Sequence, residues 1–266
     1  MKKIFYLMIN YFNVLISKKN ILLIFAMVFT VNVLCLSGSG VIGFSKVDYI
    51  ERLPNVLNSY YNYYFNFCNL IVIFTVVLVN IFSCNKILND HSGYMYLTGG
   101  IKRYHIIIGQ MFGIIVTNIC VYILVWGINS ICVGMFSLGK IDVDVFVNTM
   151  RGCANSILVS IFALLLMIVF KSISISFGPM LVYVGYNLYF NNTVIQRGED
   201  TIVYKIINGI FPMYSIKKVA MSDVVYEIYT YKITNQLDVY FGFPYFIVYL
   251  FTLFFICVLV YDRVDL

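Results

Sequence analysis

The sequence predicts an all-α integral membrane protein, with about six transmembrane helices preceded by an amphipathic interfacial helix. Three observations carry this. Apolar residues make up 61% of the chain and charged residues only 11%, where a soluble domain carries about 25% charged. The mean hydropathy of +0.89 over 266 residues is too high for one soluble core, so the outer surface must be apolar too, which lipid tolerates and water does not. Finally, the apolar residues come in blocks of spanning length, since a hydrocarbon layer about 30 Å thick takes about 20 helical residues.

The elements follow in order. Tyr6, Asn10, Asn13 and Ser17 are spaced four, three and four apart, which puts them on one helical face, while Phe5, Ile9, Phe12 and Ile16 share the other. This predicts a helix over 4–18 lying in the interface and ending at Lys18-Lys19; the alternative is an N-terminal extension of the first span. Lys2-Lys3 before an apolar stretch resembles a signal peptide, but no small-x-small cleavage site follows. The spans are expected at Ile21 to Gly43, Tyr63 to Cys84, Tyr104 to Val133, Ser156 to Phe170, Ile173 to Phe190 and Phe243 to Val260. The third is long enough to tilt or to project beyond the bilayer. Only Lys171 and Ser172 separate the fourth from the fifth, which requires a tight helical hairpin. The 191–242 segment is the only piece long enough to fold outside the bilayer. One membrane domain covers 1–266.

Basic residues orient the chain. Lys2, Lys3, Lys18 and Lys19 precede the first span. Lys86, Lys102 and Arg103 follow the second, Lys171 marks the hairpin, and Arg263 follows the last. The positive-inside rule makes these sites cytoplasmic, with both termini inside and 191–242 outside. The same rule accounts for the net charge of +6 without nucleic acid as a partner.

Several chemistries are disfavoured. The seven cysteines (Cys35, Cys68, Cys84, Cys120, Cys132, Cys153 and Cys257) are scattered and form no C-x-x-C, and the only histidines are His91 and His105. That is neither a zinc ligand set nor a disulfide framework; the thiols read as small buried hydrophobes. Gly134, Gly139 and Lys140 fit part of a phosphate-binding loop, but Ile141 stands where Ser or Thr must hold magnesium. The six apolar runs hold no Asp, Glu, Lys, Arg or His except His105 at the edge of the third. Ion-coupled transport needs ionisable groups in the membrane, and intramembrane hydrolysis needs a nucleophile and base. Energy for any transport must then come from another chain. Gly109 and Gly113 form a G-x-x-x-G that lets a second helix approach closely.

The segment from Leu88 to Gly113 has the most internal structure. Asp90 or Ser92 is placed to cap a short helix over Gly93 to Thr98, including Leu97; Gly99-Gly100 would end it. Lys102 and Arg103 then sit at the membrane surface. A short helix held between two spans (86–103) is a handle that a partner can push. In these residues the sequence resembles the permeases of type-2 ABC exporters, whose loop runs from an acidic residue through Gly-Thr and a helix to Gly-x-x-Arg and a span. Asp90, Gly93, Leu97, Gly99 and Arg103 take comparable places, with Tyr94 where a small residue is usual and Asp90 where Glu is common. The layout of the whole chain is also similar to that family.

The resemblance implies a plasma-membrane protein, bacterial by expectation, that pairs with a second, identical or homologous permease. Each permease would dock on a cytoplasmic ATP-binding cassette subunit. ATP and magnesium would sit on that subunit and no cofactor on this chain, which would not itself be an enzyme. The cargo would be a hydrophobic or amphipathic peptide, antibiotic or lipid. The competing readings are a non-transporting membrane scaffold and a lipid-modifying enzyme using Asp90, His91 and His105.

Overall fold

A computed structural model describes residues 2–15, 17–39, 60–61, 63–64, 68–89, 101–135, 143–185 and 243–263. The elements are α1 (Lys2–Leu15), α2 (Lys18–Gly38), α3 (Asn69–Asn89), α4 (Arg103–Met135), α5 (Val143–Phe170), α6 (Ile173–Gly185, opening with the turn Ile173–Ser176) and α7 (Phe243–Arg263). Among the described residues, α2, α3, α4, α5 and α7 contain stretches long and apolar enough to cross a membrane. The described part of α6 is apolar but shorter. The α2 helix has 21 residues, about 30 Å at 1.5 Å per residue. The α4 helix has 33, about 50 Å on the same rise.

The chain is helical from Lys2 to Leu15 and again from Lys18. Between them Ser17 takes φ −55° and ψ 145°, a non-helical pair that breaks the ladder. The first helix is therefore a separate element and not an extension of the first span. At the other end of α2, the backbone N–H of Ser39 closes the helix by donating to the Cys35 carbonyl at 3.0 Å.

Side-chain pairs between helices fix their alternating directions. The end of α2 meets the residues just before α3 (Cys35 with Cys68). The end of α4 meets the start of α5, with Trp126 and Phe146 edge to face at 5.2 Å. Phe82 on α3 meets Phe177 on α6 at 6.5 Å. The start of α4 meets the end of α7, with Phe112 and Phe254 at 6.3 Å and Arg103 near Tyr261. The helix ends that carry Lys18, Lys19, Lys86, Lys102, Arg103, Lys171 and Arg263 thus gather towards one end of the bundle. Arg151, on α5, lies towards the far end.

One expected boundary is corrected. The fourth span was expected from Ser156, but α5 begins at Val143, and its apolar stretch runs from Thr149 and includes Arg151. Charge interrupts the hydropathy there without breaking the helix, because no Gly-Pro or turn cluster intervenes. The second span was expected from Tyr63; the regular α-helix α3 runs from Asn69, and Tyr63 is helical, with Tyr64 and Cys68 in wider π-type turns before it. The expected ends of the first and fifth spans, at Gly43 and Phe190, fall outside the described residues, as does the 191–242 segment.

The turn between α5 and α6 is as tight as its two-residue connection demands. Lys171 adopts φ 49°, and its N–H donates to the Met167 carbonyl at 2.9 Å. This is the left-handed helix stop usually made with glycine. A left-handed non-glycine residue costs about 1–2 kcal/mol, whereas glycine adds about 0.5–1 kcal/mol of unfolded-state entropy. The strain term is larger. Lys171→Gly should therefore raise the thermal unfolding midpoint in detergent, reflecting a net stabilisation of roughly 0.5 kcal/mol. An unchanged or lower midpoint would show that the left-handed turn stores no strain.

Candidate functional site

The last turns of α3 and the first turns of α4 flank the 90–100 segment, and α1 is wedged against both. Its contact with α4 depends on two glycines. A Cβ at Gly109 would stand 2.7 Å from the Leu7 Cβ, and one at Gly113 would run into the ring of Tyr11. Leu7 and Tyr11 are four apart, as are Gly109 and Gly113, so the two helices advance in the same sense with their backbones close.

The side of α1 that enters the bundle is neither face offered by its sequence pattern. Leu7 and Tyr11 are buried, while Phe5 is 60% and Ile9 41% exposed. The Phe5–Ile9 edge remains turned outward, where an interfacial helix meets lipid.

Tyr11 is the anchor. Its hydroxyl donates to Oδ1 of Asn80 on α3 at 3.0 Å. The Asn80 amide nitrogen donates in turn to Oγ of Ser160 on α5 at 3.1 Å. Burial pushes the Tyr11 phenol well above its ordinary range, with Cys84 adding to the effect, so it stays neutral and keeps the proton it donates. One phenol thus ties α1, α3 and α5 together, while its ring rests on α4.

The same Tyr–Asn chemistry recurs through the bundle. The Tyr60 hydroxyl lies 3.1 Å from Oδ1 of both Asn32 on α2 and Asn129 on α4. A phenol has one proton to give. Asn32 uses its amide nitrogen on the Val28 carbonyl at 2.8 Å, so it is Asn32 that accepts from Tyr60. Exchanging the Asn129 amide oxygen and nitrogen, which have the same shape, would let it donate to the phenol oxygen. Longer, weaker pairs join Tyr122 on α4 to Asn69 on α3 at 3.5 Å and Asn155 on α5 to Tyr183 on α6 at 3.4 Å. Among the described residues, the polar side chains that are fully buried are Asn, Gln, Ser, Thr and Tyr, and none is ionised.

Of the residues picked from the sequence, Asp90, Ser92, Gly93, Leu97, Gly99 and Gly100 lie outside the described residues. Lys102 and Arg103 stand at the start of α4. Lys102 is exposed, with Nζ 5.9 Å from the centre of the Tyr104 ring, and its carbonyl accepts from the His105 N–H at 3.0 Å. Tyr104 and His105 stack at 4.1 Å. No group of three or more His, Cys, Asp or Glu among the described residues is placed to hold a metal. The sequence reading missed the amides, Asn80 above all. Their signal was a polar residue in the middle of an apolar run.

The chain matches no family model, no curated protein and no solved structure. The fold and its chemistry therefore define the class: a polytopic helical-bundle membrane protein in which, among the described residues, the buried polar groups are uncharged and the basic residues other than Arg151 gather towards one end.

Two variants test this packing. Tyr11→Phe removes the donor and leaves the Asn80 oxygen unpaired, which should cost about 1 kcal/mol. Coupling between Tyr11→Phe and Asn80→Ala in a double-mutant cycle checks that the loss belongs to this pair. Gly109→Leu should lower hydrogen-exchange protection of the α1 amides by at least about tenfold, since the Leu7 Cβ is fixed to the α1 backbone and cannot give way. Unchanged protection would mean that α1 does not pack on this face.

Proposed function

We propose that this chain is the membrane-spanning subunit of an ATP-driven exporter, with the 86–103 region as the handle on which a separate cytoplasmic ATPase pulls. The observation that carries the reading is mechanical. Both ends of the 90–100 segment run into helices that α1 locks together, through Gly109, Gly113 and the Tyr11–Asn80–Ser160 chain. A force on that segment is therefore delivered to α1, α3, α4 and α5 as one body. The uncharged interior among the described residues agrees with an external energy source, because a coupling ion would need an ionisable site in the membrane.

The cargo is a hydrophobic or amphipathic molecule such as a peptide, antibiotic or lipid. Gln110 and Thr117, two turns apart on α4, are buried with no hydrogen-bond partner among the described residues. They would offer neutral polar atoms to an amphipathic group once the bundle opens around α4. A second permease subunit would supply the other wall of the path.

The hydrogen-bonded pairs that join the helices also suit a static body, so the second reading is a non-transporting membrane scaffold. Association separates the two. The wild-type chain should co-purify with an ATP-binding cassette subunit and stimulate its hydrolysis. Arg103→Glu and Gly99→Pro should each abolish the stimulation while the chain remains inserted and folded. Variants that still bind and stimulate would remove 86–103 as the handle. Uphill solute movement by this chain alone, driven by a proton or sodium gradient, would overturn the exporter reading.

A further inference from the structure

We propose that Cys35 and Cys68 are an oxidation site, closing into a disulfide that staples α2 to the start of α3. Their sulfurs lie 3.5 Å apart, on different elements. Both residues are fully buried, so the pair faces itself and not lipid. The Cys68 thiol also reaches the Val31 carbonyl at 3.8 Å, which holds it against α2. No such partner sulfur is found for Cys84, Cys153 or Cys257, the other fully buried thiols among the described residues.

Position in the bundle decides the chemistry. Cys35 lies in the last turn of α2 and Cys68 just before α3, at the end opposite the gathered cations. The positive-inside rule makes that end the outer face, where thiols meet an oxidising compartment. The inference rests on this orientation and is independent of the exporter reading.

The oxidant is a small disulfide compound or disulfide-bearing protein of that compartment. A thiolate of the pair attacks one oxidant sulfur, giving a mixed disulfide and expelling a thiolate. The second cysteine, as thiolate, then attacks the protein sulfur of the mixed disulfide. The Cys35–Cys68 bond forms and the second oxidant thiolate leaves. The two protons lost by the cysteines go to the two departing thiolates, so the oxidant's disulfide ends as two thiol groups, reduced by two electrons. Because the folded bundle covers both sulfurs, closure belongs to the assembly of α2 with α3, before the neighbouring Tyr60 and Tyr64 are in place. The covalent ring encloses residues 36–67 and restricts them in the unfolded chain.

The experiment counts thiols. Membranes holding the full-length chain are dissolved in hot detergent with a maleimide and no reductant, then digested for mass spectrometry. The expected result is that all but two of the seven cysteines are labelled, with a peptide joining Cys35 to Cys68 and both labelled after reduction. Cys35→Ser should free Cys68 for labelling without reductant, and Cys68→Ser should free Cys35. Reducing the native protein should lower its unfolding midpoint by about 5 °C and should not move that of either variant. Labelling of all seven thiols before reduction overturns the proposal, even if an added oxidant closes the pair afterwards.

Discussion

A polar side chain inside a membrane bundle must find its partner within the protein, because no water is present to replace it. In this chain that constraint is met with neutral groups. Asparagine has both a donor and an acceptor, and a phenol can give one proton and receive another. Asn80 uses both ends, one to Tyr11 and one to Ser160, and so fixes the relative heights of three helices. A one-turn slip of α3 would move the amide by about 5 Å and strand all three groups. Apolar packing alone sets no such register, since lipid tails compete with it on nearly equal terms.

The absence of buried ionised groups among the described residues has a mechanical counterpart. With the described cations other than Arg151 gathered towards one end and the amides distributed along the helices, the lipid-embedded part is held by direction-specific bonds and the charge is concentrated at that end. The glycines complete this division. By bringing α1 onto the α4 backbone, Gly109 and Gly113 place the Tyr11 ring deep enough for its hydroxyl to reach α3.

The class of fold was legible from hydropathy, because membrane spans are long apolar blocks and the solvent enforces them. The α5–α6 turn was equally legible, since two residues between apolar runs leave few geometries. The start of α5 was not. Arg151 ended the apolar run, yet a helix is broken by backbone chemistry and not by one charge. The buried edge of α1 was also hidden. Leu7 and Tyr11 fall between its polar and apolar faces, and only the missing side chains at Gly109 and Gly113, a hundred residues away, explain why that edge goes inside. Asn80 could be seen as an interruption in the sequence, but nothing local named Tyr11 as its partner. The loop residues Asp90 to Gly100 rest on their spacing and on the family resemblance.

The unequal lengths of α2 and α4 have a bearing on where such a protein can reside. With 21 residues, α2 matches a hydrocarbon layer about 30 Å thick and has no slack. With 33 residues, α4 exceeds that layer by roughly 20 Å. A thinner or thicker bilayer alters how far α4 stands clear of the lipid, but not whether it crosses. Hydrophobic mismatch is therefore felt at α2 and at α3 and α7, which are equally 21 residues long, and these short helices set the immersion depth of the body and the range of membrane thickness it tolerates.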